Sequence, residues 1–179
     1  MLFRETTVAG AVVAEPERIE DERGFFARTF SVEEFADRGL DTRVNQCSTS
    51  FNARAGTLRG MHYQVAPHGE AKLVRCARGA IYDVAVDLRP DSPSYLNWFG
   101  LEISAVNGYA FFVPEGCAHG FQTLVDASEV QYQISTPFVP AAARGVRWDD
   151  PAFGIEWPAP PPDGRTMAPR DAEYPDFAP

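Results

Sequence analysis

The sequence predicts an all-β protein, built as an antiparallel sandwich or barrel. The first observation is a series of short segments rich in β-branched and aromatic residues, separated by Gly, Pro and Asn turn signals. The second is the scarcity of helical periodicity over the first two thirds of the 179 residues. Parallel strands need long crossover connections, so this pattern does not fit a parallel sheet. The predicted strands are Thr7–Ala14, Phe25–Phe30, Arg43–Phe51, Thr57–Gln64, Ala71–Ala77, Ala80–Leu88, Tyr95–Ile103, Tyr109–Val113, Gly120–Leu124 and Glu129–Ser135.

One short helix is predicted, from Ser31 to about Arg38. Ser31 can cap its N-terminus, Glu34 stands at the capping-box position and Gly39 ends it. Later in the chain, the proline run 158–162 (PAPPP) cannot pair in a sheet and is expected to be extended. Composition alone leaves open whether the tail that follows packs back or is loose.

The composition is that of a folded, acidic protein. Apolar residues make up 45% of the chain and the formal net charge is −9, which argues against nucleic acid and anionic membrane surfaces as partners. The three cysteines, Cys47, Cys76 and Cys117, lack metal-knuckle spacing and are typical of reduced thiols. No leader follows Met1 and no apolar run is long enough to span a bilayer, so we expect a cytoplasmic protein.

The stretch 56–64 (GTLRGMHYQ) carries the strongest indication of a site. Arg59 and His62 bring a cation and a titratable imidazole close together on one predicted strand, as a site for an anionic substrate requires. Strict alternation places their side chains on opposite faces of the sheet. Both can serve one site only if the strand bulges, and Gly60 between them is a plausible position for the bulge.

Two further polar residues share the alternation of apolar strand positions. Lys72 alternates with Val74 and Cys76, and a lysine on an inner face needs an anionic partner such as a phosphate or an enolate; a surface lysine is the alternative. Tyr132 shares the parity of Val130, which by itself is more typical of a core tyrosine than of a catalytic one.

The spacings of two segments resemble the cupin signatures. His62 follows Gly56 by six residues, and the second segment runs from Gly108 through Pro114 and Gly116 to His119. In cupins these segments line a jelly-roll barrel and their histidines bind a metal. Here Gln64 replaces the usual second histidine, and Glu70 is followed closely by Lys72, which makes a poor site for a divalent cation. A metal-dependent cupin enzyme using His62, Glu70 and His119 is the alternative hypothesis.

More extended motifs resemble the dTDP-4-dehydrorhamnose 3,5-epimerase family. They are DERGFF at 21–26, GTLRGMHYQ at 56–64, KLVRCARGAIYDVAVDLRPDSPSY at 72–95, PEGCAHGFQTL at 114–124, EVQY at 129–132, RWDDPAFGIEWP at 147–158 and APRD at 168–171. The resemblance implies a cupin-type jelly-roll β-barrel with a few short helices, no metal and no cofactor, and a homodimer. It also implies a single domain over residues 1–179, with an extended C-terminal tail at 158–179 packing back on the barrel.

The resemblance further implies roles for individual residues. His62 resembles the family's general base, Asp171 the carboxylate that orients it, and Tyr132 the acid that protonates the opposite face of the sugar. Lys72, which the resemblance also implies to be catalytic, and Arg59 resemble the cations that face the sugar and its oxyanion. The implied substrate contacts are Gln46, Arg59, Lys72, His119 and, from the neighbouring subunit, Arg23. The implied reaction inverts C3, C5 or both in a nucleotide-linked 4-keto-6-deoxy sugar through an enolate, since the ketone itself is the electron sink.

Several positions depart from the family pattern. Arg28 stands where glutamate is usual, Phe138 where a tyrosine is usual, and Glu70 replaces a common glutamine. The usual QxN reads Gln46–Cys47–Ser48, with serine in place of the asparagine. These changes leave the chemical residues intact and affect the binding ones, so the reaction class follows more firmly than the nucleotide, the sugar or the number of inverted centres. A non-catalytic sugar-binding cupin is a third hypothesis, but neither it nor the metal-dependent alternative gives a task to Lys72, Tyr132 and Asp171.

Overall fold

The computed structural model describes residues 1–178 as two antiparallel sheets and a separate hairpin. The strands are β1 Leu2–Glu5, β2 Val12–Glu15, β3 Arg18–Asp21, β4 Gly24–Ala27, β5 Gln46–Asn52, β6 Leu58–Gln64, β7 Lys72–Arg78, β8 Ala80–Asp87, β9 Trp98–Ser104, β10 Ala110–Val113, β11 Cys117–Thr123, β12 Ser128–Ile134 and β13 Ala143–Gly145; the helices are α1 Val32–Ala36 and α2 Pro169–Ala172. The first sheet has the order β1-β2-β10-β7-β12-β5, the second β13-β6-β11-β8-β9, and β3 pairs with β4. Within residues 1–178 neither helix has the length or the apolar character of a membrane span.

The two sheets face each other as the layers of a jelly-roll barrel, as the sequence predicts. Apolar residues from both sheets fill one part of the space between them, including Val74, Ile81, Phe111, Phe121 and Val130, each at most 1% exposed. Large apolar side chains that interdigitate between two sheets are the main source of stability in such a fold. Polar side chains occupy the rest of the interior, and the functional site lies there.

Strand β8 shows how the barrel separates its two faces. Val84 and Val86 point outward, where residues of the C-terminal third such as Val146 and Phe153 cover them. Ile81 and Ala85 point inward to the core, and Asp83 shares their parity. The face of β8 that carries Asp83 is therefore the one that points into the barrel.

The predicted helix is confirmed as α1. Ser31 adopts an extended backbone and its hydroxyl accepts a hydrogen bond from the backbone N–H of Glu34 at 3.4 Å. Phe35 is fully buried against the outer face of the first sheet, where its ring contacts Phe3 edge-on with centroids 5.1 Å apart. The helix therefore covers one face of a sheet that would otherwise expose apolar side chains.

The C-terminal tail lies against the second sheet. Thr166 forms a bridge with Thr57, and Arg165 donates through Nε to Gln122 at 2.7 Å while its guanidinium lies 4.6 Å over the ring of Trp148. These contacts bring α2, a turn of helix that the sequence does not predict, against β6.

Some strand boundaries differ from the prediction. Thr7–Ala14 is not one strand, because a turn centred on Gly10 (φ +77°) separates β1 from β2. β3 was missed because its sequence, RIED, is charged and exposed. β11 begins three residues earlier than predicted, at Cys117, and therefore includes His119.

Candidate active site

An open cavity of about 750 Å³ lies between the two sheets. Six of the eight predicted site residues line it: Gln46, Arg59, His62, Lys72, His119 and Tyr132. Asp171 lies behind His62, in contact with its ring. The structure therefore brings seven of the predicted residues together, from β5, β6, β7, β11, β12 and α2.

Two of these side chains are aligned by a bulge in β6. His62 pairs with His119 on β11, and Arg59 pairs with Phe121. Between these two pairs the chain advances by three residues in β6 but by only two in β11. The extra residue changes the parity of the strand, and Arg59 and His62 both face the cavity. Gly60 has φ +143°, and a Cβ added to it would lie 2.5 Å from the Cα of Gly120. The predicted bulge at Gly60 is confirmed.

His62 and Asp171 form a hydrogen-bonded dyad. The His62 Nε2 lies 2.8 Å from Asp171 Oδ1, and the backbone N–H of Gly60 donates to Asp171 Oδ2 at 3.3 Å. Burial acts to raise the pKa of Asp171, but the hydrogen bond and charge of His62 and the Gly60 N–H outweigh it, so the pKa is lowered. With the carboxylate ionised, Nε2 carries the proton and Nδ1 of the neutral ring has the free lone pair.

Lys72 is a buried cation in the wall of the cavity. Its ammonium lies 3.0 Å from Glu70 Oε1 and donates to the backbone oxygen of His62 at 3.2 Å. The side chain is 9% exposed. The prediction that Lys72 points inward with Val74 is confirmed, and its anionic partner in the protein is Glu70.

His119 has a carboxylate partner that the sequence reasoning did not single out. Its Nε2 lies 2.7 Å from Oδ1 of Asp83, which is completely buried. Burial raises the pKa of Asp83, although the charges of His119 and Lys72 oppose the rise. The sequence shows only that Asp83 lies on the same face of β8 as Ile81 and Ala85, which point inward in the structure. It does not show which face of β8 is interior.

Tyr132 shares the inward parity of Val130, as predicted, but its ring opens onto the cavity. It lies edge-on to His119 with ring centroids 6.1 Å apart. Burial, reinforced by the negative charge of Asp83, raises the pKa of Tyr132 far above its usual range, and the charge of Arg59 opposes this weakly. The phenol therefore stays protonated at neutral pH.

Sequence reasoning missed three further residues that line the cavity. These are Arg144 on β13, Arg170 on α2 and Tyr174, and the ring of Tyr174 lies 6.3 Å from that of His62. Neither element was predicted, because three-residue strands and one-turn helices leave almost no periodic pattern. Together with Arg59 and Lys72 these arginines make the cavity cationic, although the chain as a whole is acidic.

The metal-dependent alternative is not supported. The Nε2 atoms of His62 and His119 are hydrogen-bonded to the carboxylates of Asp171 and Asp83, respectively. Glu70 is ion-paired with Lys72 and accepts a hydrogen bond from Gln64 at 3.0 Å. Among residues 1–178, no group of three or more His, Cys, Asp or Glu side chains is arranged to hold a metal ion.

Arg23 lies apart from this cavity within the single chain. It stands at the tip of the β3–β4 hairpin, 84% exposed, where its guanidinium pairs with Asp21 at 2.5 Å.

The fold and the comparisons with known proteins define the class first: the protein is an isomerase built on a cupin-like jelly roll. Residues 5–179 match the sequence model of the family described as dTDP-4-dehydrorhamnose 3,5-epimerase. The chain belongs to this family.

Individual relatives agree with this assignment. A dTDP-4-dehydrorhamnose 3,5-epimerase of Methanothermobacter thermautotrophicus is 43% identical over 96% of this chain and 92% of its own. A dTDP-4-dehydrorhamnose 3-epimerase of Streptomyces niveus is 37% identical over 97% of this chain and 82% of its own. The crystal structure of the Bacillus anthracis 3,5-epimerase with TDP and pyrophosphate bound superposes with a TM-score of 0.92, at 36% identity, over 98% of this chain and 99% of that one.

Proposed function

We propose that this protein is a cofactor-independent epimerase of a nucleotide-linked 4-keto-6-deoxy sugar. One observation carries the proposal: the His62–Asp171 dyad and the Tyr132 phenol enter one cavity from opposite sheets. A base and an acid on two sides of a bound sugar ring are what the inversion of a carbon centre requires. The ligand in the Bacillus anthracis structure makes a thymidine diphosphate sugar the first candidate substrate.

The reaction begins with His62. Its Nδ1 removes the proton from C3, which is acidic because the adjacent C4 is a ketone, and the electron pair moves onto the C4 oxygen as an enolate. Asp171, ionised and hydrogen-bonded to Nε2, stabilises the imidazolium that forms. The same steps apply to C5, on the other side of the ketone.

The enolate oxygen needs a preorganised positive partner. The Lys72 ammonium is held in the cavity wall, and Arg59 and His119 line the same space. Such fixed charges stabilise a developing oxyanion more than water does, because they need little reorganisation. Tyr132 then gives its proton to the carbon from the face opposite His62, which inverts the centre. Tyr132 regains a proton from solvent and His62 releases one to it.

We further propose a homodimer in which Arg23 reaches the site of the partner subunit. The hairpin that carries Arg23 also exposes Ile19, Phe25 and Phe26 by 57–70%, and exposed apolar strands of this kind are usually covered. The chain would form one jelly-roll domain, with the tail from residue 158 onward supplying Asp171; the last residue of the proposed tail, 179, lies outside the described residues. The free thiols of Cys47, Cys76 and Cys117 support a reducing, cytoplasmic location.

Solvent isotope exchange tests the reaction. In heavy water the enzyme is expected to place deuterium at C3 of dTDP-4-keto-6-deoxyglucose, and also at C5 if both centres are inverted, as read by mass spectrometry of the recovered sugar. Exchange that persists after treatment with a chelator is expected. Absence of deuterium from several 4-keto nucleotide sugars would reject the proposal.

A further inference from the structure

Glu70 is a carboxylate in the cavity wall to which the proposed reaction gives no step. Its side chain is 9% exposed, and it lies two residues before Lys72, at the entry to β7. A buried carboxylate loses its hydration, so it is retained in a folded protein only where other groups compensate for that loss. Its contacts therefore identify what it does.

The two oxygens of Glu70 have different partners. Oε1 lies 3.0 Å from the ammonium of Lys72, and Oε2 accepts a hydrogen bond from Nε2 of Gln64 at 3.0 Å. Lys72 also donates to the backbone oxygen of His62 at 3.2 Å. An ammonium has three N–H donors, and these two contacts use at most two of them. At least one donor remains for an oxygen of the substrate.

Gln64 in turn fixes the position of Glu70. Gln64 is 3% exposed, its Nε2 also lies 3.2 Å from the backbone oxygen of Pro137, and its Oε1 accepts from the backbone N–H of Val139 at 2.7 Å. The Glu70 carboxylate is thus tied to the chain segment that carries Phe138 at the cavity wall. The ammonium, the carboxylate and the amide form one connected set of contacts.

From these contacts we propose that Glu70 is a positioning residue for Lys72. Together with Gln64 it holds the ammonium beside the backbone oxygen of His62, at the point where the enolate oxygen develops. This inference rests on the proposed function. Its physical basis is that oxyanion stabilisation depends on placement: a displacement of about 1 Å can cost on the order of a hundredfold in rate.

A double-mutant cycle tests whether Glu70 acts through Lys72. Glu70→Ala is expected to lower the turnover rate for deuterium exchange about 10- to 100-fold, with little change in KM. Glu70→Gln is expected to restore most of the rate, because its amide oxygen can still accept an N–H of Lys72. In a Lys72→Ala background, Glu70→Ala is expected to cost less than about threefold, since residues that act together are not additive. An equal cost in both backgrounds, or full activity of Glu70→Ala, would overturn the proposal.

A second variant covers the case in which Glu70→Ala fails to fold. Glu70→Asp keeps the charge but withdraws the carboxylate by one methylene, so an intermediate loss is expected that again vanishes in the Lys72→Ala background. Thermal unfolding of each variant separates lost stability from lost rate. A wild-type enzyme without exchange would reject the proposed function and this inference together, whereas an active wild type with additive losses would reject the inference alone.

Discussion

His62 and His119 are direct partners across β6 and β11, and each imidazole meets a carboxylate through Nε2. Their carboxylates come from different parts of the chain, Asp171 from α2 and Asp83 from β8. The two imidazoles differ in solvent exposure: the side chain of His62 is 34% exposed and that of His119 is 5% exposed. A base must return its proton to solvent after each turnover, and of the two rings His62 has the better access to do so.

The first prediction separates proton removal from proton delivery. His62→Ala is expected to abolish deuterium exchange, a loss on the order of a hundred- to ten-thousandfold, because general base catalysis is removed. Tyr132→Phe is expected to impair inversion much more than exchange, since His62 can still return a deuteron to the face it came from. Mass spectrometry measures exchange and NMR of the recovered sugar measures inversion. Exchange that survives in His62→Ala would show that another group is the base.

The second prediction concerns stability against pH. Asp87 is completely buried; burial acts to raise its pKa, but hydrogen bonds from Arg89, Ser92 and Ser94 outweigh it and lower the pKa to about 2. A carboxyl with a lowered folded-state pKa stabilises the fold above its unfolded pKa of about 3.9, and this contribution is lost as the pH falls through the folded value. We expect Asp87→Asn to lower the unfolding free energy by about 2 kcal/mol at pH 6, and by much less near pH 2.

The control for this prediction is Asp91→Asn, which changes an exposed aspartate in the adjacent turn. Chemical denaturation of both variants and the wild type from pH 2 to pH 7 gives the comparison. An Asp87→Asn penalty that stays constant across this range would contradict the assignment of the effect to ionisation.

The third prediction tests the bulge in β6. Gly60→Ala forces a side chain onto a backbone with φ +143° and places its Cβ 2.5 Å from the Cα of Gly120. Gly154 also has a positive φ, +62°, but an added Cβ would have no atom within 4 Å among the described residues, so Gly154→Ala is the matched control. Strain of φ alone costs about 1–3 kcal/mol. We expect Gly60→Ala to lower the melting temperature clearly more than Gly154→Ala and to reduce exchange; equal melting temperatures would contradict the clash.

Local pattern was sufficient for part of the site, whereas Gln46, Asp171 and the catalytic role of Tyr132 were expected only from the family resemblance. The parity of Lys72, the glycine at the bulge and the spacing of His119 all depend on residues close in sequence, and the structure agrees with each. Asp83 could not be recognised as a site residue, because β8 is buried on both faces and alternation does not say which face is interior. Arg144 and Arg170 reach the cavity only through the long-range packing of β13 and the tail, which the sequence does not encode periodically.

The fourth prediction tests whether subunits share a site. Arg23 lies outside the cavity of its own chain, on the hairpin of β3 and β4. If it serves the partner's site, a dimer of one His62→Ala subunit and one Arg23→Ala subunit contains one site with both defects and one site with neither. Each variant alone is expected to be weakly active at low substrate concentration. For Arg23→Ala the reason is that the nucleotide would lose a cationic contact. Mixing the two under conditions of subunit exchange is expected to restore up to about a quarter of the wild-type activity per site. Random pairing makes half of the dimers mixed, and each mixed dimer has one intact site of two.

Mixing His62→Ala with Tyr132→Phe is the control, because both residues belong to one chain's cavity and no intact site can form. Activity that does not rise above the sum of the separate variants would place the action of Arg23 within its own subunit or outside the site, and a stable monomer by light scattering at micromolar concentration would reject the shared site directly.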